Sequence, residues 1–253
     1  MKRWTRAGTR VLHPREPSIP DPLVTVVLPV RNGEPFLAEA IESVLVQDYH
    51  PLELIVVDGG STDRSAEIAR SYDGVRREEQ VGRGLPDAWN QGVGVARGAL
   101  IAFISSDDRW TSDKLSRQVD RMMREPELAY TIAMFRFFLE PGCIIPQSFN
   151  RSLLEQDLVG RIPETLVAWR ETFDTVGRFN VSYAAAQDVD WFLRAQESDL
   201  PTAVVPSVLL YKRVHENNLS SNASVNTPAL LQILRNSIQR RRAVAAPDAI
   251  GPT

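Results

Sequence analysis

Residues 23–45 read LVTVVLPVRNGEPFLAEAIESVL, and this stretch decides the fold. Leu23 to Val30 is a nearly continuous apolar and β-branched run, the pattern of a strand buried on both faces. Asn32-Gly33 turns the chain, and Pro35 stands where a first helical residue has no amide bond to lose. Phe36, Leu37, Ala40, Ile41, Val44 and Leu45 then fall on one helical stripe, which predicts a helix stopping before Pro51. The same unit repeats downstream. Leu52 to Val57 ends at Asp58 and the turn Gly59-Gly60-Ser61, followed by an amphipathic segment through Ile68 and Tyr72. Leu85, Ala88, Trp89, Val93 and Ala96 form a third stripe behind Pro86, and Ala99 to Ile104 is a fully apolar run ending in Ser105-Ser106-Asp107-Asp108. Alternating strands and helices predict an α/β fold with a mainly parallel, Rossmann-like sheet, whose ligands bind at the carboxyl ends of the strands.

Composition agrees with a globular chain: 253 residues, 43% hydrophobic and 24% charged, long enough for a buried core. A formal net charge of −3 gives no general attraction for nucleic acid. The single cysteine, Cys143, excludes an internal disulfide, and His13, His50 and His215 have no zinc-ligand spacing. The longest apolar run is far below the ~20 residues of a membrane span, so a cytoplasmic protein is expected. Lys2, Arg3, Arg6, Arg10 and Arg15, with Pro14, Pro17, Pro20 and Pro22, mark residues 1–22 as a tail. Residues 23–225 are expected to form one domain, its halves meeting at 110/111, and residues 226–253 a helix and tail. In that helix Leu230, Leu231, Leu234 and Ile238 fit one face, before Arg240-Arg241-Arg242. Both basic ends read as solvated charge or, at most, as a peripheral contact with anionic lipid. Only three of the 29 basic residues are lysines, an arginine bias suggesting GC-rich bacterial coding.

Adjacent carboxylates at the mouth of a buried strand repel each other unless a cation or a donor neutralises them. Asp107 and Asp108 therefore suit Mg²⁺ or Mn²⁺ beside a substrate diphosphate, or else cap the helix expected from Thr111 through Leu115, Val119 and Met122.

Taken together the motifs resemble the family 2 glycosyltransferases of the GT-A fold. The likeness runs through VTVVLPVRNGEPFLAEAIESVLVQ (24–47), ELIVVDGGSTDRSAEIA (53–69) and VGRGLPDAWNQGVGVARGALIAFISSDDRW (81–110). It resumes in FDTVGRFN (173–180), QDVDWFLRA (187–195) and KRVHENNLS (212–220). The resemblance implies an inverting transfer from a nucleotide-diphosphate sugar, a UDP-sugar foremost, to a saccharide, lipid-linked, peptide or natural-product acceptor. It implies nucleotide contacts from Pro29, Arg31, Asp58 and Asp107, and a metal ion, Mn²⁺ or Mg²⁺, on Asp108 with His215 nearby. It also makes Asp188 the catalytic base. Arg83, in the glycine-flanked loop, is either a nucleotide contact, to the base or the phosphates, or a solvated loop charge. Arg213 either neutralises the diphosphate or is a surface charge at a strand end. Trp191, on the helical face of Asp188, is either an acceptor platform or core. The chain departs from the common family pattern at Gly59, Ser105 and Gln187, each replacing a frequent acidic residue. Those departures leave open a nucleotide-sugar-binding pseudo-enzyme; a nucleotidyltransferase-like protein would want a phosphate loop that Arg31-Asn32-Gly33 does not supply. Residues 129–160, with Phe135, Phe137, Phe138, Ile144, Ile145 and Phe149 around Pro141-Gly142 and Pro146, are expected to form a hairpin or apolar loop serving as an acceptor wall or a core seal.

Overall fold

The computed structural model describes residues 21–143, 145, 149–183, 185–215 and 223–245. Strand β1 (Val24–Val30) is buried at all seven positions, as its unbroken apolar run requires. It pairs in parallel with β2 (Leu52–Asp58), in a register that sets Val30 opposite Asp58. Strand β4 (Leu100–Phe103) lies parallel on the other side of β1. Helix α1 (Leu37–Leu45) turns Leu37, Ala40, Ile41 and Val44 onto one face of this sheet, and α3 (Leu85–Val95) turns Ala88, Trp89 and Val93 onto the opposite face. Gly92 permits that second contact, because a Cβ there would lie 2.2 Å from Val27 Cγ1. Helix α2 (Ser65–Arg70) completes the repeat.

Two elements depart from the expected pattern. Strand β3 (Val75–Glu79, VRREE) has no apolar alternation to announce it, yet it pairs in parallel with β2 at the sheet edge. Its charges pair laterally, Arg76 with Glu78 and Glu53, and Arg77 with Glu79, which an edge strand tolerates. In the segment expected to be a hairpin or loop, β6 (Tyr130–Leu139) is a ten-residue strand inside the sheet. Its return, β7 (Leu158–Val159), does pair antiparallel with it. Phe135 and Phe137 stack edge-on at 5.2 Å on the core side, the outcome that their period-two spacing favours. Phe149 packs on Phe137, while Ile144 and Pro146 lie outside the described residues.

The second half adds β5 (Arg109–Trp110), α4 (Lys114–Arg124), β8 (Val167–Trp169), α5 (Thr172–Val176), α6 (Gln187–Glu197), β9 (Thr202–Val214) and α7 (Ala223–Ala245). Among the described residues the sheet order is β3-β2-β1-β4-β8-β6-β9-β5, with β7 on β6. Strand β8 runs antiparallel between β4 and β6, and β9 runs parallel to β6. This is a mixed α/β fold in which β1, β2, β3 and β4 are all parallel. The tail over residues 1–20 and the end of the chain from residue 246 lie outside the described residues. The apolar face foreseen on α7 exists but points outward: Ala229, Ile233 and Ser237 are buried instead.

Candidate active site

Because β1 and β2 pair in register to their ends, the loops that follow them leave the sheet together. Asp58 is buried there, and its Oδ1 accepts the Ser61 amide at 2.9 Å. The two loops are stitched by Asn32 N to Ser61 Oγ (3.0 Å), Thr62 N to Asn32 Oδ1 (2.8 Å) and Gly33 N to Ser65 Oγ (2.9 Å). Asn32 holds a left-handed backbone (φ 54), a conformation its short polar side chain tolerates. Pro29 lies in β1 opposite Val57, while the Arg31 side chain is exposed beside these loops. Gly59 sits close under Gln80: a Cβ would meet Gln80 Oε1 at 2.8 Å. Arg83 is exposed in the loop before α3, its amide held by Asp87 Oδ2 at 2.8 Å.

The two adjacent aspartates after β4 have different fates. Asp108 is fully buried, with Oδ2 accepting Lys212 Nζ at 2.9 Å and Oδ1 accepting the Arg213 amide at 3.0 Å. Burial pushes its carboxyl upward, the neighbouring Asp107 and Glu164 carboxylates add to that, and the Lys212 ammonium opposes it. Asp107 is partly open, and its Oδ2 lies 3.0 Å from His215 Nε2. Burial works against the Asp107 charge, but hydrogen bonding to His215 and the charge of Lys212 overcome it, so its carboxyl titrates low. Both oxygens of Asp108, the residue expected to hold a metal directly, accept hydrogen bonds inside the protein. Asp107 and His215 are the pair that remains accessible.

Around them stand groups that motif reading did not single out. Glu164, in the short 3-10 turn Pro163–Thr165, accepts Ser105 Oγ at 2.5 Å and lies 3.6 Å from Lys212 Nζ. Lys212 is desolvated, but Asp108, Glu164 and Asp107 together hold its proton well above the usual range. One of three lysines in an arginine-dominated chain, it lay within a quoted motif without a role. Glu164 offered no comparable signal, since its partners Ser105 and Lys212 are far from it in the chain. Arg213 is buried and ion-paired with Glu39 and Glu140, its guanidinium over the rings of Phe36 (4.5 Å) and Phe138 (4.6 Å). The guanidinium expected to contact a diphosphate thus ties α1 to the end of β6, and its Nε donates to the Asp107 carbonyl at 2.8 Å.

Asp188 lies in the first turn of α6, after Ala186 in a left-handed conformation (φ 58). Burial raises its carboxyl, the Val189 amide opposes this, Glu164 adds to the rise and Lys212 lowers it. The shared influence of Glu164 and Lys212 brings Asp188 and Asp108 into one electrostatic cluster. Trp191, in contrast, is fully buried, with Phe173 (5.3 Å), Phe179 (5.8 Å) and Tyr130 (5.8 Å) around its ring and Nε1 donating to Gly177 O. It belongs to the core, and the acceptor-platform reading is corrected. Asp190 is likewise internal, paired with Arg194 at 2.8 Å.

Asp107, Asp108, Glu164 and Asp188 cluster around the Lys212 ammonium at this strand mouth, so an anionic diphosphate would be repelled without an added cation. The donor set fits that need. One accessible carboxylate and one imidazole suit Mn²⁺ or Mg²⁺ that takes its other ligands from substrate phosphate and water.

Comparison with known proteins follows the same line. The family model described as glycosyl transferase family 2 matches residues 25–179. An uncharacterized glycosyltransferase of Rickettsia prowazekii is 36% identical over 219 residues, covering 81% of this chain and 68% of the relative. The putative teichuronic acid biosynthesis glycosyltransferase TuaG of Bacillus subtilis is 27% identical, covering 79% of this chain and 82% of the relative. A Rickettsia felis relative, 29% identical over 80% of this chain, is much longer: the chain spans 36% of it. Among solved structures, the mannosyltransferase PcManGT of Pyrobaculum calidifontis, in complex with GDP-Man and Mn²⁺, superposes with a TM-score of 0.67 at 20% identity, over 94% of this chain and 67% of that one. S. aureus TarS 1-349 in complex with UDP-GlcNAc gives 0.66 at 20% identity, over 85% and 65%. At such identities the likeness to these structures is one of fold.

Proposed function

Since the chain belongs to glycosyl transferase family 2, we propose that it moves a sugar from a nucleotide-diphosphate sugar to an acceptor hydroxyl by a single displacement with inversion. The observation that carries this reading is the junction of two groups at one strand mouth: the accessible Asp107–His215 pair and, through Glu164 and Lys212, the raised carboxyl of Asp188. Asp58 and the stitched loops after β1 and β2 receive the nucleoside, with Arg31 exposed beside them. Asp107 and His215 would hold Mn²⁺ or Mg²⁺, which when bound would supply the positive charge that the donor diphosphate and the carboxylate cluster both need.

Asp188 accepts the proton of the acceptor hydroxyl as its oxygen forms the new bond to the anomeric carbon. The bond from that carbon to the diphosphate oxygen breaks, and the nucleoside diphosphate leaves with the electron pair. A base whose carboxyl is raised by burial is a stronger proton acceptor than an exposed aspartate, which suits an alcohol nucleophile. Lys212 keeps Asp108 and Glu164 in place and buffers their charge against the incoming phosphates. A UDP-sugar is the donor the reading favours, and UDP-GlcNAc and GDP-Man name the nucleotides held by two proteins of like fold.

The test is thermal unfolding of the full chain against UDP, GDP, CDP and dTDP sugars, with and without Mn²⁺. A ligand at a hundred times its Kd stabilises by about 2.7 kcal/mol, which is readily seen. One nucleotide class is expected to raise Tm, and more so with Mn²⁺. If none does at millimolar concentration, the reading falls. Slow release of nucleoside diphosphate from the stabilising donor separates a transferase from a protein that only binds.

A further inference from the structure

Four large apolar side chains of α7 stand outside the core. Leu230, Leu231, Leu234 and Ile238 are 37%, 52%, 50% and 50% exposed, while Ala229, Ile233 and Ser237 are buried against the body. The two sets form parallel rows at i, i+4 and i+8, so the helix presents Ala229, Ile233 and Ser237 inward and Leu230, Leu234 and Ile238 outward. Its rotation is fixed. Asn236 Nδ2 donates to the Tyr183 hydroxyl at 2.7 Å, Ser237 Oγ donates to Glu197, and Arg240 Nε pairs with Glu197 at 2.6 Å. These contacts hold the outward row outward.

The charge on the helix is one-sided as well. Residues 223–245 contain Arg235, Arg240, Arg241 and Arg242 and no acidic residue. Arg242 continues the row of Leu230, Leu234 and Ile238 one turn on, and Arg235 follows Leu231 by one turn. Both are exposed, as is Arg241, which lies 3.7 Å from Glu197. An apolar row bordered and terminated by arginines is complementary to a surface apolar within and negative at its edge. The long arginine stems can reach headgroups while the leucines enter the acyl boundary. No described helix is long and apolar enough to cross a membrane, so the contact lies in the plane of the interface.

We propose that α7 docks the protein on an anionic lipid bilayer through Leu230, Leu231, Leu234 and Ile238, with Arg235, Arg241 and Arg242 on the headgroups. The docking rests on this helix alone and is separate from the transfer reaction.

Full-length protein is sedimented with vesicles of phosphatidylcholine alone and of equal phosphatidylcholine and phosphatidylglycerol, at about 0.1 M salt, with light scattering on the protein alone. Partitioning at least tenfold stronger into the anionic vesicles is expected, weakening with added salt as screening shortens. Leu234→Gln with Ile238→Gln, and separately Arg235→Gln with Arg242→Gln, should each reduce it tenfold or more while nucleotide-induced thermal shifts stay unchanged. As a measurement independent of loss, Leu234→Trp should give an emission that shifts to the blue on adding anionic vesicles only. Equal or absent binding to both vesicles would overturn the proposal. So would a self-association of the wild type that the Gln variants abolish, because the row would then be a face between copies.

Discussion

Lys212 Nζ and Asp108 Oδ2 meet at 2.9 Å across 104 residues, and this pair ties the last strand of the sheet to the loop that carries the site. Asp108 has no solvent exposure, so its charge depends on that ammonium and on the Arg213 amide. Lys212→Met should cost about 3–5 kcal/mol, because it leaves a buried carboxylate unpaired and Glu164 beside it. Pairing it with Asp108→Asn should recover a large part of the loss. Chemical denaturation of the wild type, the two single variants and the double variant checks this, and additive losses would show that the two residues do not act as a unit.

Asp188→Asn is expected to bind donor as the wild type does and to lose about 10²- to 10⁴-fold in transfer. Full activity in a folded variant would remove the base assignment.

The pH profile follows from the direction of the Asp188 shift. Its carboxyl is raised by burial, so the proton-accepting form is lost as pH falls through a value above the ordinary ~3.9 of aspartate. The acid limb of kcat/KM should lie above that value and be absent from the residual rate of Asp188→Asn. The same shift has a stability consequence of opposite sign. A carboxyl that holds its proton more tightly folded than unfolded favours the folded state at low pH, and this contribution is lost as pH rises through the folded pKa. An acid limb at the ordinary aspartate value would mean that Asp188 is solvated in the working enzyme.

Asp107→Ala and His215→Ala should each weaken Mn²⁺-dependent nucleotide affinity at least tenfold in calorimetry, while affinity without metal changes little. Asp108→Asn, whose oxygens are internal, should show its main effect in unfolding. Metal-dependent binding lost in Asp108→Asn, but retained in a folded Asp107→Ala, would return the metal to Asp108.

Trp191→Ala should destabilise the fold by about 3–5 kcal/mol, since it empties the ring cluster of Phe173, Phe179 and Tyr130. Acceptor KM measured well below the variant's Tm should not move. A large rise in KM with unchanged stability would place the indole at the acceptor after all.

The order of residues along the chain was enough for the β1–α1 and β2–α2 units and for α3 and β4, since strand and helix periodicities are local and repeat within a few residues. Leu23–Leu45 carries both patterns without interruption, and the polar ends of β1, β2 and β4 mark where a ligand would sit. Strand β3 escaped because an edge strand can be charged throughout, and β6 because its breakers follow the strand instead of dividing it. What only tertiary structure decided is which of two equivalent-looking residues faces inward. Asp107 and Asp108 are neighbours in sequence, yet one meets His215 across 108 residues and the other Lys212 across 104. Arg213 was a free charge on paper until Glu39, 174 residues away, closed on it. Trp191 and Leu234 both fit an amphipathic stripe, and packing buried the first and left the second exposed. Periodicity names a face of a helix, but burial of that face and pairing of a charge are set by partners that local sequence does not contain.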